Sequence, residues 1–398
     1  MKLLVQEFLT NHSFSDLESE HGVYVSVSKN NRKISLNYDH IETKESDVLS
    51  WDCRGLILSK IDFSEFNMLP DNKIDKNIII GDTQIIAFGL RRFFNYGQGS
   101  TNINWNDSSL QIVEKLDGTL CILHMDPFTK KWNVATRSVA EADLLMDNGI
   151  FTFRTLFEKA LKDTCGQTFE EYTSKLDSKI TYCFELTTPY NQIVVNYPDN
   201  RITLLAARNI LSLDELDISK IETYGVPIIQ SYKYNSINDL LSWVSSRNPM
   251  KYEGVVVKDS NFNRVKIKNA GYVAFNRIKD SVSKSPRTCL ELILSEKEDD
   301  AISFLPEEIV KNLLKLKSNV QNLIKEHDQI YNSISHIEDK KSFALKLQEL
   351  AKEKNIWVTP LFQIFNKKAV NMHDFINKNK TLSGSWHNSF LDKILEFI

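Results

Sequence analysis

The chain of 398 residues has only five cysteines, no long apolar run and a formal net charge of only −3. The cysteines show no metal-like spacing and their odd number fits a reducing compartment, so we expect them to be small buried apolar residues. No apolar stretch approaches the roughly 20 residues that cross a bilayer, and no secretion-like hydrophobic region opens the sequence. We therefore expect a soluble cytoplasmic protein.

The small net charge argues against a protein that coats nucleic acid over its whole surface. Any nucleic-acid contact must then be local. Residues 251–284 hold eight basic and three acidic side chains, and we expect a phosphate track there. An ordinary strand meander with solvated lysines explains the same charge. The eight basic residues are Lys251, Lys258, Arg264, Lys266, Lys268, Arg277, Lys279 and Lys284.

Neither an internal repeat nor a low-complexity segment is evident, and the length leaves room for two or three domains. Residues 1–275 have the pattern of short strands broken by turns, with helices near 138–163 and 236–246. Examples of these strands are 23–27, 55–58 and 202–205.

The pattern changes after about residue 285. Pro306 is a favourable helix start, and apolar residues then recur at steps of three and four from Ile309 to Ile334. Residues 343–350 form a second amphipathic stretch, which suggests an antiparallel helical partner. We interpret these apolar stripes as core. The prediction is an α+β fold, with a mainly antiparallel-sheet domain over 1–284 and an all-helical domain over 285–398.

The segment Lys115-Leu116-Asp117-Gly118 places an amine nucleophile beside a carboxylate and a glycine. A free lysine amine is protonated at pH 7, so an enzyme that uses one must favour the neutral form with cations or desolvation. Asp117 lies on the same side of an extended chain and can help to hold magnesium, and Gly118 lets backbone approach a phosphate closely. By itself the tetrapeptide is more typical of a surface hairpin with a solvated lysine.

Three later segments have strand character and carry charge that an ordinary buried strand avoids. Glu185 lies within 180–186, and Glu253 leads the apolar strand 253–258. Lys266 and Lys268 are two residues apart and therefore project from one face of a strand, as a clamp for phosphate would require. Taken singly, each segment also fits a solvated strand edge or strand start.

In this order the four segments resemble motifs I, III, IV and V of the covalent nucleotidyltransferase superfamily, which contains the ATP-dependent ligases and capping enzymes. Other segments are similar to the RNA ligase 1 family of T-even phages, and the resemblance covers roughly residues 30–280. These further segments are 52–57, 92–95, 142–150 and 188–195.

The resemblance implies a three-step joining of RNA ends. Lys115 would attack the α-phosphate of ATP, AMP would pass to an RNA 5′-phosphate, and an RNA 3′-hydroxyl would displace it. ATP is then a substrate and Mg²⁺ or Mn²⁺ the cofactor, while broken tRNA is a candidate substrate chosen with the help of residues 285–398. We expect a monomer without membrane partners, placed in the host-cell cytoplasm if the source is viral.

The resemblance also implies which residues form the site. The nucleotide would meet Arg54, Arg92 and Leu36, of which Leu36 stands at what resembles a tyrosine position, together with Lys115, Asp117, Glu185, Glu253, Lys266 and Lys268. The metal would be held by Asp117, Glu185, Glu253 and Asp299. RNA or phosphate contacts fall to Arg137 and Tyr272, for which a surface arginine and a half-buried tyrosine are equal alternatives.

Two other functions stay open at this point. The chain could be a DNA ligase or a capping-type guanylyltransferase of the same superfamily, although nothing after Lys268 resembles an appended OB-fold. It could also be an idle RNA-binding relative, although such a relative has no physical reason to keep so much clustered charge.

Overall fold

The computed structural model describes residues 2–28, 32–39, 43–60, 75–98, 102–143, 145–146, 149–276, 285–294, 307–354, 356–379 and 388–397. The chain divides into two compact units, Met1–Val273 and Ala274–Ile398. Residues 277–284 lie outside the described ranges, so the domain boundary expected after residue 284 stays a prediction.

The first sheet of the first unit has four antiparallel strands in sequential order. They are β1 (Val23–Ser28), β2 (Lys33–Tyr38), β3 (Arg54–Ser59) and β4 (Gln84–Ala87). Helices α1 (Leu4–Leu9) and α2 (Phe14–His21) contribute Val5, Phe14 and Leu17 to its apolar core. Helix α2 begins where Ser13 accepts the N–H of Asp16, and it ends at Gly22, whose φ of 61° suits glycine.

The second sheet has five strands, all antiparallel to their neighbours. In spatial order they are β11 (Glu215–Leu216), β10 (Arg201–Asn209), β9 (Ile180–Thr187), β7 (Thr119–Met125) and β8 (Trp132–Thr136). Helices α3 (Phe153–Cys165) and α4 (Phe169–Thr173) cover one face, where Phe157 and Tyr172 pack against Phe184.

The third sheet also has five strands, and only its last pair is parallel. In spatial order they are β12 (Ser231–Tyr232), β6 (Gln111–Lys115), β13 (Gly254–Lys258), β14 (Arg264–Lys268) and β5 (Phe94–Asn95). Leu240 and Val244 of α5 (Ile237–Ser246) share a core with the β13 residues Val255 and Val257. A short helix, α6, spans 270–276.

The regular structure described in the second unit from residue 285 onward is helical. It consists of α7 (Pro286–Leu294), α8 (Glu307–Ile334), α9 (Lys340–Glu353), α10 (Val358–Phe365), α11 (Met372–Lys378) and α12 (Asn388–Leu395). Two apolar clusters hold these helices together, one around Val320 and Trp357 and one around Phe343 and Leu347. None of the helices within the described ranges is both long and apolar enough to cross a membrane.

The predicted α+β class is confirmed, as is the burial of the periodic stripe at Leu313, Val320 and Leu323. The helix expected over 138–163 is wrong in its first half. The described residues among them, 138–143, 145–146 and 149–152, form bends and a bridge between Leu145 and Thr152, and the helix begins only after Thr152, whose side chain accepts the N–H of Thr155.

The expected apolar role of the cysteines holds for Cys53, Cys121 and Cys183, which are buried, whereas Cys165 and Cys289 are half-buried. All five are free thiols.

A buried lysine links the first sheet to the β7–β8 hairpin. Lys33 has no exposed surface, and its Nζ lies 3.1 Å from Asp126 Oδ2 and 3.1 Å from Glu141 Oε1. Asp126, which follows β7, is itself buried. A buried charge of this kind is tolerated because its partners neutralise it.

Replacing this lysine should therefore leave Asp126 as an uncompensated buried charge. We expect Lys33→Met to lower the free energy of unfolding by about 3–5 kcal/mol. The exposed Lys131 of the same hairpin is the matched control, and Lys131→Met should change the free energy by less than about 0.5 kcal/mol. Urea unfolding followed by circular dichroism measures both, and equal midpoints would contradict the assignment.

Candidate active site

The site is organised around Glu253, the residue directly before β13, which is the central strand of the third sheet. Gly254 opens β13 and pairs with Lys115 of β6 on one side and with Lys268 of β14 on the other. Glu253, directly before it, is 3% exposed. Its Oε2 lies 2.8 Å from Lys115 Nζ and its Oε1 lies 2.8 Å from Lys268 Nζ. One buried carboxylate thus holds two ammonium groups in place.

Gly254 has to be glycine because of the backbone beside it. Its φ is +153°, and a Cβ there would lie 2.1 Å from the carbonyl oxygen of Ile267. Since no side chain fits so close to a neighbouring strand, an alanine would displace the start of β13 and with it Glu253.

Lys266 projects from the same face of β14 as Lys268, as the two-residue spacing predicts. Its Nζ lies 5.8 Å from the centre of the Phe93 ring. Burial, together with the positive charges of Lys268, Lys115 and Arg54, lowers the pKa of Lys266 to about 7. The group is therefore poised to gain its proton when an anion arrives.

Glu185 lies on β9, the middle strand of the second sheet, and accepts the N–H of Gly118 at 3.1 Å. Burial raises the pKa of Glu185 to about 7, and the Glu253 carboxylate adds to that effect while Lys115 and Arg54 oppose it. A Cβ on Gly118 would lie 2.4 Å from the carbonyl oxygen of Leu186, so this glycine allows the close approach of the two segments.

Arg54 begins β3 in the first sheet. Its guanidinium carbon lies 5.0 Å from the centre of the Phe93 ring, and burial lowers its pKa. Within the described part of the chain, the buried Nη1 of Arg54 has no hydrogen-bond partner. An unsatisfied buried donor of this kind is costly and is typical of a group that binds a ligand.

Some of these residues line a cavity of about 810 Å³. Arg54, Lys115, Glu185 and Arg137 line it, together with the backbone-exposing Gly118. Arg137 thus lines this cavity, and the RNA or phosphate contact expected of it stays a prediction. The volume suits a nucleotide-sized ligand.

Asp117 does not face this cavity as a metal ligand, which corrects the expectation. It is 2% exposed, and its Oδ1 accepts the Tyr272 hydroxyl at 2.5 Å. Its Oδ2 accepts the backbone N–H groups of Val194 at 2.8 Å and of Val195 at 2.7 Å. Asp117 thus holds Val194 and Val195 against the loop that follows Lys115.

Tyr272 is corrected by the same contact. It is 2% exposed and donates to Asp117, so it supports the loop and does not present a surface to RNA. The ring also lies 5.4 Å from Lys268 Nζ, where its face stabilises that ammonium group.

Of the other expected nucleotide contacts, that of Leu36 is wrong and that of Arg92 stays a prediction. Leu36 has no exposed surface and packs in the core of the first sheet, because its strand directs it to the helix-covered face. Arg92 does not line the large cavity. Its guanidinium lies 4.4 Å from the centre of the Tyr38 ring, and Nη1 donates to the Lys44 carbonyl oxygen at 3.3 Å. Asp299 lies outside the described residues.

Among the residues that the structure describes, no group of three or more histidine, cysteine or acidic side chains is placed to hold a metal ion. The three-carboxylate cluster expected from the sequence is therefore not assembled, since Asp117 is engaged elsewhere. Glu185 and Glu253 remain together, close enough for the Glu253 carboxylate to raise the pKa of Glu185.

Several residues of the site were not foreseen. Phe93 supports both Arg54 and Lys266, and its place in the segment 92–95 was a usable signal. Tyr197 accepts the N–H of Asp117 at 3.1 Å, which no local pattern predicts. Arg264 lines the cavity and lies two residues before Lys266, so strand periodicity could have identified it.

Known proteins similar to this chain include RNA ligases. A bifunctional polynucleotide kinase/RNA ligase of Autographa californica nuclear polyhedrosis virus is 25% identical over 334 residues, or 80% of this chain and 44% of that protein. The chain therefore spans less than half the length of that relative. An RNA ligase of Rhodothermus phage RM378 is 23% identical, covering 81% of this chain and 84% of that protein.

A solved structure of an archaeal ATP-dependent RNA ligase has 13% identity and a TM-score of 0.46, with 99% of this chain and 97% of that one covered. A family model described as RNA ligase matches residues 52–272, a span that holds every element of the cavity named above. That span is more than half of the sequence, and the chain therefore belongs to the RNA ligase family, of the phage type that its motifs indicate.

Proposed function

We propose that this protein is an ATP-dependent RNA ligase that works through a covalent lysyl-AMP intermediate. The observation that carries the proposal is the position of Lys115, whose amine projects from a strand end into a nucleotide-sized cavity and is held by Glu253 at 2.8 Å. Membership of the RNA ligase family supports the same chemistry.

In the first step, the lone pair of Lys115 Nζ attacks the α-phosphorus of ATP. The bond between that phosphorus and the bridging oxygen of pyrophosphate breaks, so pyrophosphate leaves and a phosphoramidate forms. Glu253 Oε2 is the nearest base to the amine and is placed to take its proton. The two strands that hold these groups are paired, so their separation is set before ATP binds.

The triphosphate brings several negative charges into a half-buried site. Lys266, Lys268 and Arg54 supply the compensating positive charge, and the unpaired Nη1 of Arg54 gains an acceptor. Binding an anion also restores the proton of Lys266, whose pKa burial lowers to about 7. The cationic groups that would stabilise the reacting phosphate are thus in position before the substrate binds.

Glu185 and Glu253 are the carboxylates that fit a divalent ion arriving with the nucleotide. Magnesium is usually held by one or two carboxylates, phosphate oxygens and water, so two suffice where three are not assembled. Such an ion would screen the phosphate charge and favour the leaving pyrophosphate.

In the second step AMP passes from Lys115 to the 5′-phosphate of RNA, which restores the free amine. In the third step a 3′-hydroxyl attacks that phosphate, AMP leaves, and a phosphodiester joins the ends. Broken tRNA is the substrate that we propose for the cell, with the helical second unit contributing to the choice of RNA.

Replacing the nucleophile tests the covalent step directly. Incubated with labelled ATP and magnesium, the parent protein should retain AMP, and Lys115→Ala should lower the labelling by at least about 10³-fold, because Lys115 is the one lysine among the described residues that line the cavity. Lys115→Arg should fail equally, since a guanidinium stays protonated. The exposed Lys251 is the control, and Lys251→Ala should label like the parent. Labelling that survives in Lys115→Ala would exclude the proposed nucleophile.

The choice of substrate is tested by offering RNA and DNA strands with different ends to the protein. We expect sealing of 5′-phosphorylated single-stranded RNA or of a nicked RNA stem-loop, and at most weak sealing of nicked DNA, measured by gel electrophoresis of labelled strands. Labelling by GTP instead of ATP would indicate a capping-type enzyme. Sealing confined to nicked DNA would indicate a DNA ligase.

Deprotonation of Glu185 should lower the free energy of unfolding as the pH rises. Burial raises its pKa to about 7 from an unperturbed 4.5, so the folded state binds the proton more tightly than the unfolded state does. The stabilisation from that proton is complete below about pH 4.5 and is lost as the pH rises through about 7. Without nucleotide or metal, we expect Glu185→Gln to exceed the parent in stability at pH 8 by on the order of 2 kcal/mol.

At pH 5 most of that difference should disappear, because a protonated glutamic acid and a glutamine are then both neutral. Calorimetric melting at the two pH values measures it. A difference that is the same at pH 5 and pH 8 would show that the carboxyl does not titrate in the way proposed.

A further inference from the structure

A second, smaller pocket adjoins the cavity and is not explained by the nucleotide. Its volume is about 80 Å³, and Phe93 and Arg264 line both it and the large cavity. Three arginines and four aromatic residues contribute to its wall, and none of the described residues that line it is acidic. These seven residues are Arg91, Arg92, Arg264, Trp51, Phe93, Phe94 and Phe262.

The arginines of this pocket are held in place from behind. Arg91 donates from Nε to Asp52 Oδ1 at 2.6 Å, while 48% of its side chain is exposed. Arg264 donates to Glu215, which also pairs with Arg208 at 3.0 Å. Two carboxylates, Asp52 and Glu215, are therefore matched by four guanidinium groups in and beside the pocket, and the local charge is positive. The four belong to Arg91, Arg92, Arg208 and Arg264. Fixed guanidinium forks of this kind are suited to phosphate.

Phe262 points to a function for the pocket independently of charge. Its φ is +62°, a left-handed conformation that costs energy in a bulky residue and that glycine or asparagine would adopt more easily. The residue lies in the turn between β13 and β14, and its ring is 5.1 Å from Lys258 Nζ. An aromatic ring kept at such a position, beside arginines, is typical of a surface that contacts RNA bases.

We propose that this pocket binds a backbone phosphate of the RNA strand whose reactive end lies in the large cavity. Arg91 contacts that phosphate, and Phe262 stacks on the adjoining base. The pocket has room for a phosphate group and not for a nucleotide, and it lies one side chain away from the cavity, as the next phosphate of a strand would. The proposal rests on the proposed ligase function and names where that function holds its RNA.

The terminal phosphates of ATP are the alternative ligand for this pocket, because they carry the same charge and the same acceptor oxygens as an RNA phosphate. The large cavity already offers Arg54 to the nucleotide, with Lys266 and Lys268 beside it, so we assign the outer pocket to RNA. Formation of lysyl-AMP needs no RNA, and RNA binding needs no ATP. The two sources can therefore be measured separately in the full-length protein.

The test uses Arg91→Ala and 5′-phosphorylated single-stranded RNA, with binding followed by fluorescence anisotropy over a range of salt concentrations. We expect about tenfold weaker binding, and a salt dependence whose slope falls by about 0.7, the contribution of one phosphate contact to a single strand. The rate of lysyl-AMP formation and its KM for ATP should stay within about twofold of the parent.

Arg247 provides the matched control. It is also an exposed arginine against an aromatic ring, 4.3 Å from the centre of Trp243, and it lines neither pocket. Arg247→Ala should change neither the affinity for RNA nor the salt dependence.

Phe262→Asn is the second variant, because asparagine accepts the left-handed conformation and the fold should be kept or improved. It should weaken RNA binding several-fold and leave the slope of the salt dependence unchanged, because the change removes a stacking contact and no ion pair.

Parent-like RNA affinity in both variants would overturn the proposal. A raised KM for ATP with unchanged RNA affinity would assign the pocket to the triphosphate instead. A parent protein that binds RNA but forms no lysyl-AMP would contradict the ligase function and not the pocket.

Discussion

A single buried carboxylate bridging two ammonium groups is the interaction on which the site depends. Glu253 lies at the start of the middle strand of its sheet, so the strands on both sides bring Lys115 and Lys268 to its two oxygens, each at 2.8 Å. The two lysines and their shared counter-ion thereby have fixed positions before any ligand arrives. Removing the carboxylate would leave two cations facing each other in a half-buried space.

The same burial shifts two neighbouring groups in opposite directions. It raises the pKa of Glu185 to about 7 and lowers the pKa of Lys266 to about 7, because in both cases the charged form is the one that loses water. A protein selected for stability alone would not keep such groups. A protein that must bind a triphosphate gains from them, since the incoming charge and metal repay the desolvation when the substrate binds.

Much of the site was predictable from local pattern. The order of the four segments identified Lys115, Glu185, Glu253 and the lysine pair, and the two-residue step placed Lys266 and Lys268 on one face. Asp117 and Tyr272 were assigned to the metal and to RNA, whereas they hydrogen-bond to each other across 155 positions. No periodicity reports a contact at that separation, and the same limit explains why Tyr197 and the Arg264–Glu215 pair were missed. The nucleotide contact expected of Leu36 was wrong because a match to a family position does not show which face of the strand packs against the core.

The sequence by itself determined the α+β class, the helical character of the described chain after residue 285 and the candidates for the reactive groups, because strand and helix periods and short charged motifs are local properties. Only the tertiary structure decided which charges meet. The pairing of β6, β13 and β14 places Glu253 between its lysines, and the packing of the sheets leaves Arg54 Nη1 without a partner among the described residues while fully occupying Asp117. These outcomes depend on desolvation and on contacts between distant segments, which exist only once the chain has folded.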